Sequence, residues 1–245
     1  WKAGTSFTND ASGTGIGSID SAGSFNNDAG FSIVSYTGTG SAGTIKHGLN
    51  TAPKMIIFRN LSTVEDWGVW HQTMPSNGYI ALNTVNDSRT NNTFMNNTIP
   101  TSSLFSVGNN TRTGSSSHNF IAYCFAEKQG YSKFGSYTGN GNASSGTFVY
   151  TGFKPAFVMI KRTDTTGSWE MYDAKREGFN PQVHALYANG NNAEDNTDDL
   201  LDLLSNGFKL YHDGGGLNAS GGSYIFMCFA SNPFVTSTGV PATAR

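Results

Sequence analysis

The stretch Gly30-Phe31-Ser32-Ile33-Val34-Ser35-Tyr36-Thr37-Gly38-Thr39-Gly40 decides how the rest of the chain reads. Phe31, Ile33 and Ser35 alternate with Ser32, Val34 and Tyr36, and a period of two is the period of a strand. An echo follows 101 residues on, with Tyr137 answering to Tyr36: Lys133-Phe134-Gly135-Ser136-Tyr137-Thr138-Gly139-Asn140-Gly141. Four further matches keep the same order. Pro53-Lys54-Met55-Ile56-Ile57-Phe58-Arg59 matches Pro155-Ala156-Phe157-Val158-Met159-Ile160-Lys161, and Trp67-Gly68-Val69-Trp70-His71 matches Trp169-Glu170-Met171-Tyr172-Asp173, both at an offset of 102. Phe105 answers to Phe208 at 103, and Tyr123-Cys124-Phe125-Ala126 to Met227-Cys228-Phe229-Ala230 at 104. Ordered matches with a slowly drifting offset are the mark of an internal repeat with small loop insertions. Two units are expected, 30–127 and 131–234, joined by the short link Glu127-Lys128-Gln129-Gly130. So short a link favours closely packed units over beads on a string.

Inside each unit the pattern is β. Met55 to Phe58 and Phe157 to Ile160 are short apolar runs behind a proline, as in strands buried on both faces or in a sandwich core. Asn119 to Ala126 and Ser223 to Ala230 are the other strong strands, and the pieces between them are rich in Gly, Asn, Ser and Thr, as turns are. Strands at this spacing predict an all-β chain of two duplicated antiparallel β-sandwich units, jelly-roll-like. One short amphipathic helix is expected over 192–205, where Asp198, Asp199 and Asp202 interleave with Leu200, Leu201, Leu203 and Leu204 and Gly207 follows. The matching stretch Asn91 to Ser103 is expected to be loop. Residues 1–29 read as an extended linker or an edge strand, and 235–245 as a C-terminal tail.

Composition narrows the function classes. The chain has 245 residues, 13% charged and 13% aromatic, with 30 glycines and a net charge of −2. Nucleic-acid binding needs clustered Lys and Arg, so this balance argues against it. A disordered chain would carry more charge and fewer aromatics. No apolar run reaches the length of a membrane-spanning helix. The chain opens on Trp1 without a basic region followed by an apolar one, which reads as a fragment or a processed product.

Chemistry-bearing residues are sparse. His47, His71, His118, His184 and His212 form no pair at helical spacing, and neither HExxH nor Cys-x-x-Cys occurs, so no metal site is expected. Cys124 and Cys228 fall at equivalent places in the last strand of each unit and read as separate buried thiols. Glycoside hydrolysis needs two carboxylates, for which Glu65, Asp66, Glu127, Glu170 and Asp173 are the candidates near strands. Only His71 and Asp173 are aligned by the repeat, and they differ. Glu194, Asp195, Asp198, Asp199 and Asp202 lack the spacing of a calcium loop and read as a solvated helix face. Gly38-Thr39-Gly40 and Gly139-Asn140-Gly141 lack the lysine and helix of a phosphate loop and read as hairpin turns. Seven Asn-x-Ser/Thr sequons arise from composition in a chain this rich in Asn, Ser and Thr. No catalytic residue, cofactor or metal is therefore expected.

The aromatics carry the one site expectation. Alternation puts Trp67 with Val69 and Trp169 with Met171 on one strand face, and Trp70 and Tyr172 on the other. If the first face is core, Trp70 and Tyr172, with His71 and Asp173 beside them, offer rings and polar groups to a sugar or a partner chain.

Several segments resemble a family of tailed-bacteriophage proteins, the tail-fibre and other virion structural proteins common in marine phages. They are residues 30–40 quoted above, Ala52-Pro53-Lys54-Met55-Ile56-Ile57, Ile121 to Glu127, Gly130 to Gly141, Lys154 to Asp164, Leu204 to Leu210, and the end from Asn232-Pro233-Phe234-Val235 through Pro241-Ala242-Thr243-Ala244-Arg245. The resemblance spans roughly 30–245. It implies the C-terminal piece of a longer fibre or appendage on the virion surface. Its partners would be identical chains (a trimer favoured), other virion proteins and host-surface glycan. It brings no catalytic motif. A low-charge surface rich in amides and hydroxyls independently suits packing against identical chains and contact with glycans. Three functions follow from this reading: a receptor-binding module without enzymatic activity, a purely structural virion part such as a capsid decoration or fibre connector, and a polysaccharide depolymerase using Glu127, Glu170 or Asp173.

Overall fold

A computed structural model describes residues 3–196 and 201–232. The chain divides into two compact units, Trp1–Leu82 with Ser88–Glu127, and Asn83–Asp87 with Lys128–Arg245. Both are built from antiparallel strands.

The first unit opens with β1 (Thr5–Asn9), a single helical turn α1 (Ala11–Thr14), β2 (Ser21–Asn26), β3 (Phe31–Thr37) and β4 (Gly43–Lys46). It continues with β5 (Met55–Asn60), β6 (Gly68–His71), β7 (Gly78–Ala81), β8 (Arg89–Thr90), β9 (Leu104–Val107) and β10 (Asn119–Phe125). Eight strands form one sheet in the order β1-β2-β3-β10-β5-β6-β7-β8, and β4 and β9 form a second. Residues 3–29 are thus an edge pair of strands and a capped turn rather than a linker. The core lies between the two sheets. Val34, Tyr36, Ile56, Phe58, Phe120, Ala122 and Cys124 project from one face of the large sheet against Ile45, Phe105 and Val107 of the small one. Every second residue of each strand is used, as a sheet with one inward face requires. The stretch from Asn91 to Ser103 is a succession of turns, as its Asn and Pro content predicts.

The second unit holds β11 (Ser132–Thr138), β12 (Phe148–Tyr150), β13 (Pro155–Arg162), β14 (Trp169–Asp173), β15 (Leu186–Tyr187), β16 (Leu201–Leu204), β17 (Gly207–Leu210) and β18 (Ser223–Ala230). Its large sheet runs β11-β18-β13-β14-β15 and its small sheet β12-β17-β16. The large sheet has the same order as β3-β10-β5-β6-β7 in the first unit, strand for strand. The core again lies between sheets: Val158, Ile160, Tyr172, Phe226 and Cys228 from one, Val149, Leu201, Leu203, Phe208 and Leu210 from the other.

Two sequence expectations change. Leu201 to Leu204 is a strand, not the end of a helix, and Thr197 to Leu200 lie outside the described residues. Leu201 and Leu203 are buried while Asp202 and Leu204 face outward, a period of two. The strand turns through Ser205-Asn206 and pairs with Leu210 to Gly207, a two-residue hairpin. The four leucines fit either period, and the ladder to β17 selects the strand. The second change concerns the glycine triplets, which are corners, not hairpin turns. Gly38 N–H donates to His118 O at 2.8 Å and Gly139 N–H to Gly222 O at 2.9 Å. A β-carbon on Gly38 or on Gly139 would stand 2.3 Å from a carbonyl oxygen of the crossing chain, so glycine is required there by close approach. Beside each corner a tyrosine spans the core edge: Tyr36 Oη donates to Thr113 O at 2.7 Å and Tyr137 Oη to Leu217 O at 2.8 Å.

Candidate functional site

The residues singled out from the sequence are not surface rings. Trp70 is 3% exposed and Tyr172 0%. Trp70 stands opposite Ile56 in the first core, and Tyr172 opposite Val158 in the second. The alternation is as read, but the face carrying Trp70 and Tyr172 lies in the cores between the sheets, and Val69 and Trp169 on the other face are buried as well. The apolar runs of β5 and β13 are buried on both sides, so they gave no sign of which face points inward. The Tyr172 hydroxyl donates to Glu170 Oε2 at 2.9 Å, which ties that buried carboxylate into the core. His71 is fully buried, with Nδ1 2.9 Å from Thr73 Oγ1. Asp173 is half-buried and accepts from the Lys175 amide at 2.7 Å, a local turn contact. None of the four is available for stacking on a ligand. Of the carboxylates considered for hydrolysis, Glu170 is thus enclosed, and Glu127 belongs to a different unit from Glu170 and Asp173.

Cys124 and Cys228 are buried free thiols, and burial pushes Cys124 up to about 12. Of the acidic run, Glu194 pairs with Arg176 and Asp195 Oδ2 accepts from Tyr187 Oη at 2.8 Å. Among the described residues no cluster of three His, Cys, Asp or Glu is placed to hold a metal.

A groove in the first unit was not anticipated. It has a volume of about 380 Å³ and lies along β1, β2, β3 and β10. The pairing explains its shape. Thr8, Ala22 and Ser35 fall in one register row, so two small side chains form the middle of the groove. Ser35 Oγ donates to Ala22 O at 3.0 Å, which keeps the hydroxyl against the sheet. Thr37 Oγ1 donates to Asn119 Oδ1 at 3.0 Å across the β3–β10 ladder, leaving the Asn119 amide nitrogen as the donor end of that side chain.

The turn after β1 supplies the acidic residues of the groove. Asp10 caps α1: its Oδ1 accepts from Ser12 Oγ at 2.7 Å and from the Gly13 amide at 2.9 Å. These bonds favour the charged form and hold the Asp10 carboxyl below its usual value. Asp20 Oδ1 accepts from the Ala11 amide at 2.8 Å, so it holds the start of the same turn. Asn9 is buried beneath it, donating to Ile16 O at 2.8 Å and accepting from Thr14 Oγ1 at 2.9 Å. Leu61, 58% exposed, is the apolar residue of the lining that stands out most into solvent. The groove thus combines carboxylate acceptors, asparagine amides and several hydroxyls with the apolar residues Ala22, Leu61 and Phe120. Those groups complement a neutral, polyhydroxylated ligand. The sequence signal for it is the turn chemistry of Asn9-Asp10 and the Ser-Ala-Gly-Ser run of β2, both in the segment read as an extended linker or an edge strand.

No curated protein and no solved structure matches the chain. The family described as Domain of unknown function (DUF7483) matches residues 1–233. With nearly the whole length matched, including β1 and β2, the chain belongs to the DUF7483 domain family.

Proposed function

We propose that this chain is a non-enzymatic module of a phage virion appendage, of the tail-fibre kind, and that its first unit holds host-surface glycan in the groove along β1, β2, β3 and β10. The observation that carries the reading is that groove: an open site with carboxylate, amide and hydroxyl groups on a four-stranded floor. Hydroxyl-rich sugars are recognised by such groups, and a site on strands is held more firmly than one on loops. The sequence resemblance to virion proteins supplies the setting: the particle surface, identical partner chains with a trimer favoured, and neighbouring virion proteins.

The test is binding of the fluorescently labelled protein to a panel of bacterial cells with soluble oligosaccharides as competitors. Saturable, sugar-competed binding is expected. It should fall at least about tenfold in Ser35→Trp, which fills the floor, and several-fold in Asn119→Ala. Binding unchanged in both variants would remove the groove from the reading. Tight association with other virion proteins without any cell binding would assign the chain to a purely structural part.

A further inference from the structure

The outward face of the small sheet in the second unit carries the most exposed aromatic pair on a described strand. Phe148 is 45% exposed and Tyr150 65%. Both lie on β12, the edge strand, on either side of the buried Val149. The ladders place their neighbours. Phe148, Lys209 and Asp202 share one row across β12, β17 and β16, and Tyr150, Gly207 and Leu204 share the next. Gly207 leaves the centre of this face as bare backbone. The Phe148 ring leans over it, 3.1 Å from where a β-carbon would stand. Tyr211 follows on the same face, with Lys209 Nζ 5.1 Å from the centre of its ring. Desolvation and, after it, the Asp202 carboxylate beside its hydroxyl hold the Tyr211 phenol above its usual value.

We propose that this face is a second carbohydrate site, a stacking platform on which Phe148 and Tyr150 receive the apolar C–H face of a pyranose ring while Lys209, Asp202 and the Tyr211 hydroxyl bond its hydroxyls. The choice of a sugar rests on the functional reading above. The choice of this face rests on its own geometry. Flat rings flanked by a cation, a carboxylate and a phenol match a ligand that is apolar on one side and polar at its edge. Size decides against a second copy of the chain. Three strands about 4.8 Å apart and about four residues long give a face of roughly 190 Å². A stable protein interface needs about 800 Å² from each partner. The corresponding strand of the first unit, β4, has Thr44 and Lys46 where β12 has Phe148 and Tyr150, so the platform is particular to the second unit.

The experiment is an array of bacterial surface oligosaccharides probed with the full chain, with Phe148→Ala, with Tyr150→Ala and with the groove variant Ser35→Trp. The two alanine variants remove exposed rings, and unchanged melting temperatures check that they fold. The proposal expects at least one oligosaccharide whose binding falls about tenfold or more in both alanine variants and is retained in Ser35→Trp. Oligosaccharides bound equally by the alanine variants and lost only in Ser35→Trp would overturn the platform and leave the groove standing. No bound oligosaccharide for the unaltered chain would overturn both. A dimer in sedimentation that Tyr150→Ala converts to a monomer, with sugar binding unchanged, would make the face a contact between copies and overturn the proposal.

Discussion

Gly135 and Phe226 face each other across β11 and β18, and the Phe226 ring lies 2.8 Å from where a β-carbon on Gly135 would stand. At the corresponding rung of the first unit, Val34 faces Ala122. Val34, Ala122 and Phe226 all belong to the cores between the sheets. Each unit therefore fills the same place with one larger and one smaller residue, and the larger one stands on opposite strands in the two units. Interiors packed to crystal-like density accept such exchanges only in pairs.

That pairing predicts a coupled response. Gly135→Val should destabilise by about 1–3 kcal/mol through overpacking, and Phe226→Ala by about 3–5 kcal/mol through a cavity. The double variant, which copies the first unit's pair, should cost at least 1 kcal/mol less than the sum of the two. Chemical denaturation of the four proteins measures this, and strictly additive losses would refute the coupling.

His47 sets a pH dependence in the first unit. It is fully buried, with Nε2 3.1 Å from Thr101 O and Nδ1 accepting the Leu49 amide at 3.2 Å. That arrangement fits a neutral ring, donating from Nε2 and accepting at Nδ1. Desolvation lowers its pKa from 6.5 to about 4, against the smaller raising effect of the Thr101 carbonyl. Between those values the unfolded chain binds a proton that the folded one does not. Stability should therefore fall as pH drops from about 6.5 to about 4, by at most roughly 3 kcal/mol from this residue. Denaturation midpoints across that range in the unaltered chain and in His47→Gln isolate the contribution. A slope that persists unchanged in the variant would assign it to other groups.

Cys124 should be chemically silent in the folded protein. The thiolate is the reactive form, and burial holds the thiol up to about 12. A thiol reagent at pH 8 is expected to label neither buried cysteine in the native chain and both after denaturation without reductant. Rapid labelling of the native protein would contradict the burial.

Trp70 should behave as core and Leu61 as surface. Trp70→Ala is expected to cost about 3–5 kcal/mol, whereas Leu61→Ala should stay within about 0.5 kcal/mol. Thermal unfolding distinguishes them. A near-neutral Trp70→Ala would reopen the reading of Trp70 as a contact residue.

Much of the framework was legible because strands advertise themselves locally. The alternation of Phe31 to Tyr36 and the apolar runs at Met55 and Phe157 depend only on which residues neighbour which. The echo of one unit in the other shows without any knowledge of contacts. Three things were not legible in this way. The facing of Trp70 and Tyr172 depends on which side of β6 and β14 the small sheet packs, and strands buried on both sides do not announce it. Leu201 to Leu204 fits a helix or a strand equally until β17 pairs with it. The groove exists because residues far apart in sequence, Asp10 and Asn119 among them, are brought to one stretch of sheet by the pairing of β2 on β3 and of β3 on β10.

The sequence by itself determined the β character of the chain, the sites of its main strands and the separation of its two cysteines, because period, turn chemistry and spacing are properties of neighbouring residues. Only the tertiary structure decided which faces point inward, where glycine is demanded by a crossing backbone, and which polar groups share a groove. Each of those depends on strands meeting that are distant in sequence, and burial of one face against another is a property of the pair and not of either strand alone.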